Sequence, residues 1–342
     1  MHAIQLVETG APVQLREIPT PEPAPGEVRV RVRAAGICHS DAHYRAGRSP
    51  TSVPPLTLGH EVAGTIDAAG ARVRHARPGS RVCVHYLIAC GDCWHCSRGH
   101  EQFCTTGSMI GHHRDGGWAE YIVVPERNAV PLPDEISFEH GAALMCSSAT
   151  ALHALRRGRL AGGETVAVFG CGGLGLSAVQ LARALGALDV YGVDLDADKL
   201  HVAESMGATP IDASAGDAAD AIRAHTGGRG VDVAIEVVGL PATMSQAVRC
   251  LAIHGRAVIV GLADRPLVVD SYRDLLGREA AVLGANDHLL QELPQLIEYA
   301  RRGALDLSRV VTRSVPLEAI AVNRVLDELD RFGAPARTVI IP

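Results

Sequence analysis

Cys90, Cys93, Cys96 and Cys104 follow the spacing C-x2-C-x2-C-x7-C. Four thiolates so spaced can close around one ion, because sulfurs about 2.3 Å from a central zinc suit tetrahedral coordination. A shell of four thiolates leaves no open position, so a structural zinc is expected. The competing reading is a disulfide framework or four unrelated buried thiols. Three cysteines within 90–96 make a poor framework, and Met1-His2-Ala3-Ile4 shows no charged segment leading into an apolar run and a cleavage site. A reducing, cytoplasmic setting is therefore expected, in which an odd total of nine cysteines is readily kept as thiols or metal ligands.

A second ligand set is scattered along the chain. Cys38 and His43 fall in 36–43 (G-I-C-H-S-D-A-H), His60 in 59–61 (G-H-E), and Cys146 in 142–150 (A-A-L-M-C-S-S-A-T). Each segment alone reads as easily as packing. Together Cys38, His60 and Cys146 offer two thiolates and an imidazole, a set suited to a catalytic zinc whose fourth position is left to water or substrate.

Redox chemistry enters with Gly170-Cys-Gly172-Gly173-Leu174-Gly175, which follows the apolar run 164–169 and precedes helical spacing over 176–185. In that strand, turn and helix context, G-x-G-x-x-G lets the backbone approach a pyrophosphate, and the helix N-terminus faces the anion. Asp194 lies nineteen residues past Gly175, at the end of the next apolar run. A carboxylate there accepts from the adenosine ribose hydroxyls and repels a 2′-phosphate, which favours NAD over NADP. Lys199 either reaches the same ribose or is a solvated surface lysine.

The elements that must position these groups differ between the two halves. Alternation of apolar and basic residues over 28–34, and β-like runs over 61–68, 81–86 and 119–124, predict a compact, mostly β domain. From residue 164 strands alternate with helices through 231–236, 242–251 and 256–261, which predicts a doubly wound parallel sheet. The run 337–341 is strand-like again, so the last fifty or so residues are expected to rejoin the first domain, with helical spacing in 288–302 as the crossing back. The expected division is 1–147 with 286–342, and 148–285, in an α/β protein of 342 residues. A net charge of -6 without a basic cluster gives no reason to expect nucleic acid, and no apolar run is long enough for a membrane. Small-molecule partners are expected.

In these motifs and in their order the chain resembles the zinc-containing alcohol dehydrogenases of the medium-chain dehydrogenase/reductase superfamily, over essentially its whole length. The resemblance implies a GroES-like first domain and a Rossmann second domain, with a catalytic zinc on Cys38, His60 and Cys146 and a structural zinc on Cys90, Cys93, Cys96 and Cys104. It places Glu61 beside the catalytic metal, where in some relatives it becomes a ligand. It assigns the alcohol proton to Ser40, then a nicotinamide ribose hydroxyl, then His43; a Ser40 hydroxyl capping the following helix is compatible with that role. His39 and Arg337 would touch the cofactor pyrophosphate, Asp41 would hydrogen-bond a ligand histidine such as His60, and Thr150, Val260, Gly261 and Leu262 would lie against the nicotinamide. Tyr86 and Trp118 either line the substrate pocket, favouring apolar alcohols, or are ordinary core aromatics, and His112 and His113 add a polar element nearby. The short segment between Cys104 and Trp118 suggests a homotetramer over a dimer. The activity implied is reversible, NAD-dependent oxidation of a primary or secondary alcohol. Rivals are a polyol or sugar dehydrogenase, which usually has Glu where Cys146 stands, a threonine-type dehydrogenase, and a non-catalytic NAD- and zinc-binding redox sensor, which needs no Ser40–His43 relay.

Overall fold

The computed structural model describes residues 1–49, 51–331 and 337–342. The chain divides into two compact units, Met1–Cys146 with Leu289–Arg301 and Val311–Pro342, and Ser147–His288 with Arg302–Val310. Residues 302–310, expected to return to the first unit, pack with the second. The Gln180 side chain explains this, since it donates to the Asp306 carbonyl at 3.0 Å and accepts from the Asp306 N–H at 2.7 Å, while Leu305, Leu307 and Val310 are buried.

The first unit is built on a seven-stranded sheet with the order Ala129–Pro131, Arg81–Val84, Glu61–Ala69, Glu27–Ile37, Arg337–Ile341 and Val311–Pro316, with Tyr121–Pro125 also paired to Glu27–Ile37. The alternating residues of Glu27–Ile37 divide as their period of two dictates: Val28, Val30 and Val32 are buried, whereas Arg31 and Arg33 are exposed. The C-terminal strand does return to this sheet, antiparallel to Glu27–Ile37 with Thr338 opposite Ile37. The crossing segment forms a helix over Leu293–Arg301.

The second unit holds six parallel strands in the order Thr209–Asp212, Asp189–Asp194, Thr165–Phe169, Val231–Glu236, Leu251–Ile259 and Ala281–Gly284. Numbered within the unit this is 3-2-1-4-5-6, the doubly wound order whose direction reverses between the first and fourth strands. The strand before the glycine turn is buried at every residue, as a sheet covered on both faces requires. Among the described residues no helix is long and apolar enough to cross a membrane.

Candidate metal centres and dinucleotide site

The strand Glu27–Ile37 delivers the chain into Cys38, which caps the seven-residue helix His39–Arg45. The capping hydrogen bond comes from Asp41, whose Oδ2 accepts from the Cys38 N–H at 2.8 Å; Ser40, which by residue type suits a cap, lies inside the helix. The other oxygen of Asp41, a fully buried residue, lies 3.3 Å from Nδ1 of His60. One carboxylate thus fixes the backbone of one candidate ligand and the ring of another, and turning Nδ1 to Asp41 leaves His60 Nε2 for a metal. Cys146 arrives from a π-helical turn, Leu144–Ser148, and its sulfur stands 3.9 Å from that of Cys38.

Cys38, His60, Glu61 and Cys146 each offer an atom within 4.8 Å of the others, so residues far apart in sequence share one centre. The donor set of this centre, two thiols, an imidazole and a carboxyl, fits a cation. Its hydrogen bond with Cys146, and then the charges of Arg337 and His60, hold the Cys38 thiol well below its usual value, while Cys146 is pushed well above. Burial disfavours a charged His60, yet Asp41 raises it well above the ordinary range. A cation here displaces those protons and takes over the charge balance.

Glu61 is fully buried, and burial pushes its carboxyl above the ordinary range even with the Arg337 guanidinium 3.1 Å away. Arg337, expected at the cofactor phosphates, is placed by this pairing beside the candidate metal ligands. Adjacent strands place Gly36 opposite Glu61 and Ile37 opposite Thr338, and Arg337 also donates to the Ile37 carbonyl at 3.2 Å. A Cβ on Gly36 would fall 2.0 Å from Glu61 Oε2, so only glycine leaves the gap through which the carboxylate meets the guanidinium.

Tyr86 and Trp118 are 2% and 0% exposed and belong to the core of the first unit. Of the two readings open for Trp118, its burial and contacts favour the core aromatic. Its indole N–H donates to the Gly36 carbonyl at 3.0 Å, and its ring fills the place of a Cβ on Gly59, where φ is +92°. It thus pins both strands that carry Cys38 and His60. Tyr86 is likewise core, with its ring centroid 5.2 Å from that of His60 in an edge-to-face arrangement. Ser40 Oγ stands 3.3 Å from Cys38 Sγ, and the half-buried rings of His39 and His43 meet at 4.8 Å; burial lowers both imidazoles below their usual value. His112 and His113 face each other with Nδ1 atoms 3.2 Å apart, and His112 lies against Tyr44.

The four-cysteine lobe forms the second candidate centre. Its sulfurs lie within 4.8 Å of one another, with separations of 3.5 Å (Cys90–Cys104), 3.9 Å (Cys90–Cys96) and 4.0 Å (Cys93–Cys104). A zinc–sulfur tetrahedron with bonds of about 2.3 Å has edges of about 3.8 Å, so the cage has the size of zinc. Backbone N–H groups of Cys96 and Thr105 hold Cys93 down to about 5, as a thiolate ligand needs. No disulfide is formed among these cysteines. Glu101, which no sequence motif singles out, moors the lobe: its carboxylate takes the Arg127 guanidinium at 2.7 Å and the Leu290 N–H at 2.6 Å.

In the second unit Gly172 caps the helix Gly173–Ala184, whose first-turn N–H groups, including that of Leu174, lack intrahelical acceptors. Gly175 packs so tightly that a Cβ would meet the Gly170 carbonyl at 1.7 Å, whereas a Cβ on Gly172 would meet nothing within 4 Å. A closed inner side and an open outer side make a cradle for a pyrophosphate. Asp194 ends its strand with Oδ2 accepting from the Cys171 N–H at 2.7 Å and Oδ1 from the Leu195 N–H at 2.8 Å, so the glycine turn itself orients the carboxylate. Lys199 lies half-buried on the following helix, close enough for its charge to act on Cys171. Thr150 is buried in the helix Ala149–Arg157, and Val260, Gly261 and Leu262 follow the fifth strand at the same sheet edge.

The sequence profile "Alcohol dehydrogenase GroES-like domain" matches residues 24–134, and "Zinc-binding dehydrogenase" matches residues 173–301. The chain is 34% identical to an NAD-dependent alcohol dehydrogenase of Sulfurisphaera tokodaii, covering 100% of both chains. Among solved structures it resembles an alcohol dehydrogenase of Thermus sp. ATN1, with a TM-score of 0.92, 30% identity and coverage of 100% and 99%. It also resembles a chain of Sinorhizobium meliloti 1021 solved with NADP bound, with a TM-score of 0.91, 34% identity and coverage of 100% and 99%.

Proposed function

Because the chain belongs to the zinc-containing alcohol dehydrogenases of the medium-chain dehydrogenase/reductase superfamily, we propose that it is an NAD-preferring enzyme holding two zinc ions per chain. It is a zinc-dependent oxidoreductase that transfers a hydride reversibly between an alcohol and a nicotinamide dinucleotide. The observation that carries this is the convergence of Cys38, His60, Glu61 and Cys146 within 4.8 Å.

Cys38, His60 and Cys146 would hold the catalytic zinc, and Cys90, Cys93, Cys96 and Cys104 the structural one. Bound there, zinc would supply a Lewis acid to an alcohol hydroxyl, and the dinucleotide would supply the hydride acceptor. Asp41 keeps the His60 ring aimed, and the Glu61–Arg337 pair keeps a carboxyl group beside the ligands. Ser40 receives the alcohol proton and His43, one helical turn on, passes it towards solvent. The complete ligand set beside Ser40 favours turnover over a sensor role. Thiolate ligands suit a reducing cytoplasm, and the short Cys104–Trp118 connection favours a homotetramer.

The test is NADH absorbance with a panel of alcohols and aldehydes, with and without a chelator. Chelator-sensitive turnover is expected, and binding of NADH without turnover of any alcohol would leave the sensor reading. Asp194 supports NAD over NADP. Asp194→Ala should raise KM for NAD by about 10- to 100-fold, the worth of hydrogen bonds to a charged group, and relax the discrimination. A variant that stays fully selective removes Asp194 from the adenosine site. His39→Arg places a permanent charge where imidazole is mostly neutral, so NADH should bind several-fold tighter and leave more slowly. Unchanged or weaker binding in a fluorescence titration takes His39 away from the pyrophosphate.

A further inference from the structure

Glu236 ends the fourth strand of the parallel sheet, directly beside Phe169, on the edge where the strand order reverses. It is fully buried, and nothing in the metal or proton chemistry uses it. One carboxylate oxygen accepts from the Val238 N–H at 3.0 Å, the Gly239 N–H at 2.9 Å and the Thr243 hydroxyl at 2.7 Å. The main-chain carbonyl of the same residue accepts from the Val260 N–H at 2.9 Å and the Gly261 N–H at 3.1 Å. A single residue therefore ties down both loops that leave the fourth and fifth strands.

Those loops are also locked to each other and to the glycine turn. A Cβ on Gly261 would lie 2.1 Å from the Gly239 nitrogen, and one on Gly239 would lie 2.3 Å from the Leu262 carbonyl. On the other side Val238 touches the position a Cβ on Gly170 would take, at 2.7 Å. A dinucleotide crosses the carboxyl edge of such a sheet at its reversal point. With its pyrophosphate on Gly172 and its adenosine towards Asp194, its remaining half runs over the 237–240 and 260–262 loops.

Resting on the dinucleotide reading above, we infer that Glu236 is a positioning residue for the nicotinamide half of the cofactor, setting through its side chain and carbonyl the two loops against which that ring is held. Its second carboxylate oxygen is buried without a hydrogen-bond partner among the described residues, and burial pushes the carboxyl above its ordinary range. The site keeps this costly group for the one acceptor that three donors need.

The test compares two ligands on the full-length enzyme. NADH uses both halves of the site, and ADP-ribose only the adenosine and pyrophosphate half. In Glu236→Ala the ratio of the NADH Kd to the ADP-ribose Kd should rise about tenfold or more, since the three side-chain hydrogen bonds to Val238, Gly239 and Thr243 are lost. Glu236→Gln, which retains a carbonyl acceptor, should stay within about threefold of the native ratio. Thr243→Val removes one donor without opening a buried cavity at the carboxylate, and should raise the ratio about threefold; it decides the matter if Glu236→Ala does not fold. A ratio unchanged in the folded variants, or equal weakening of both ligands, overturns the inference. Failure of the native protein to bind either ligand would instead overturn the dinucleotide reading itself.

Discussion

Cys146→Ala should abolish alcohol turnover while leaving NADH binding nearly intact. The substitution removes one of the three proposed ligands from a centre whose remaining donors, Cys38 and His60, are buried beside Glu61. The further donor left at the site, Glu61, has its carboxylate paired with the Arg337 guanidinium at 3.1 Å, so it is not placed to replace the lost thiolate. The Lewis acid is asked to supply at least about 4 kcal/mol of transition-state stabilisation, so the loss in kcat/KM should be about 1,000-fold or greater. The glycine cradle and Asp194 lie in other elements of the chain and are unaltered, so NADH fluorescence should titrate as in the native enzyme. A variant that retains more than a tenth of native turnover would remove Cys146 from the ligand set.

The opposite phenotype is expected at the other centre. Cys104→Ala opens a cage in which all four sulfurs are within 4.8 Å and whose loop, 90–107, has little regular structure beyond two single-turn helices. Structural zinc sites in small folds contribute about 10–16 kcal/mol of apparent binding free energy, which is folding free energy for the segment they organise. Losing even a few kcal/mol of it should lower the melting temperature by about 10 °C, at about 2–4 °C per kcal/mol for units of this size. Bound zinc should fall from two ions to one per chain, with new protease cleavage confined to the lobe. The Glu101 contacts to Arg127 and Leu290 hold the base of the lobe and limit the damage to it. Residual protein should still oxidise alcohol. If Cys104→Ala abolished chemistry while Cys146→Ala mainly destabilised the protein, the two centres would have been exchanged.

The features legible in the amino-acid sequence by itself share one property: they depend on residue type and short spacing. Soft thiolates three residues apart, a glycine triplet between an apolar strand and a helix, and a carboxylate nineteen residues later each state their chemistry locally. The strand Glu27–Ile37 is legible for the same reason, since its alternation records which face is buried. Cys38, His60 and Cys146 are harder, because no local pattern says that they meet; resemblance in motif order supplies that expectation.

What only the tertiary structure decided depends on strand register and on close approach. The pairing of Arg337 with Glu61 arises because three adjacent strands bring the two together across Gly36, and a shift of one residue in any pairing would turn Arg337 to the other face. Trp118 reads equally as a pocket or a core aromatic, and only the folded chain shows Gly59 and the Gly36 carbonyl receiving its ring and its N–H. Residues 302–310 read as part of the return until Gln180 takes hold of Asp306. Glu236 gives no signal at all in the sequence, being one acidic residue at the end of an apolar run. Its role arises from which donors the folded loops leave without an acceptor, and that is a property of the packed chain alone.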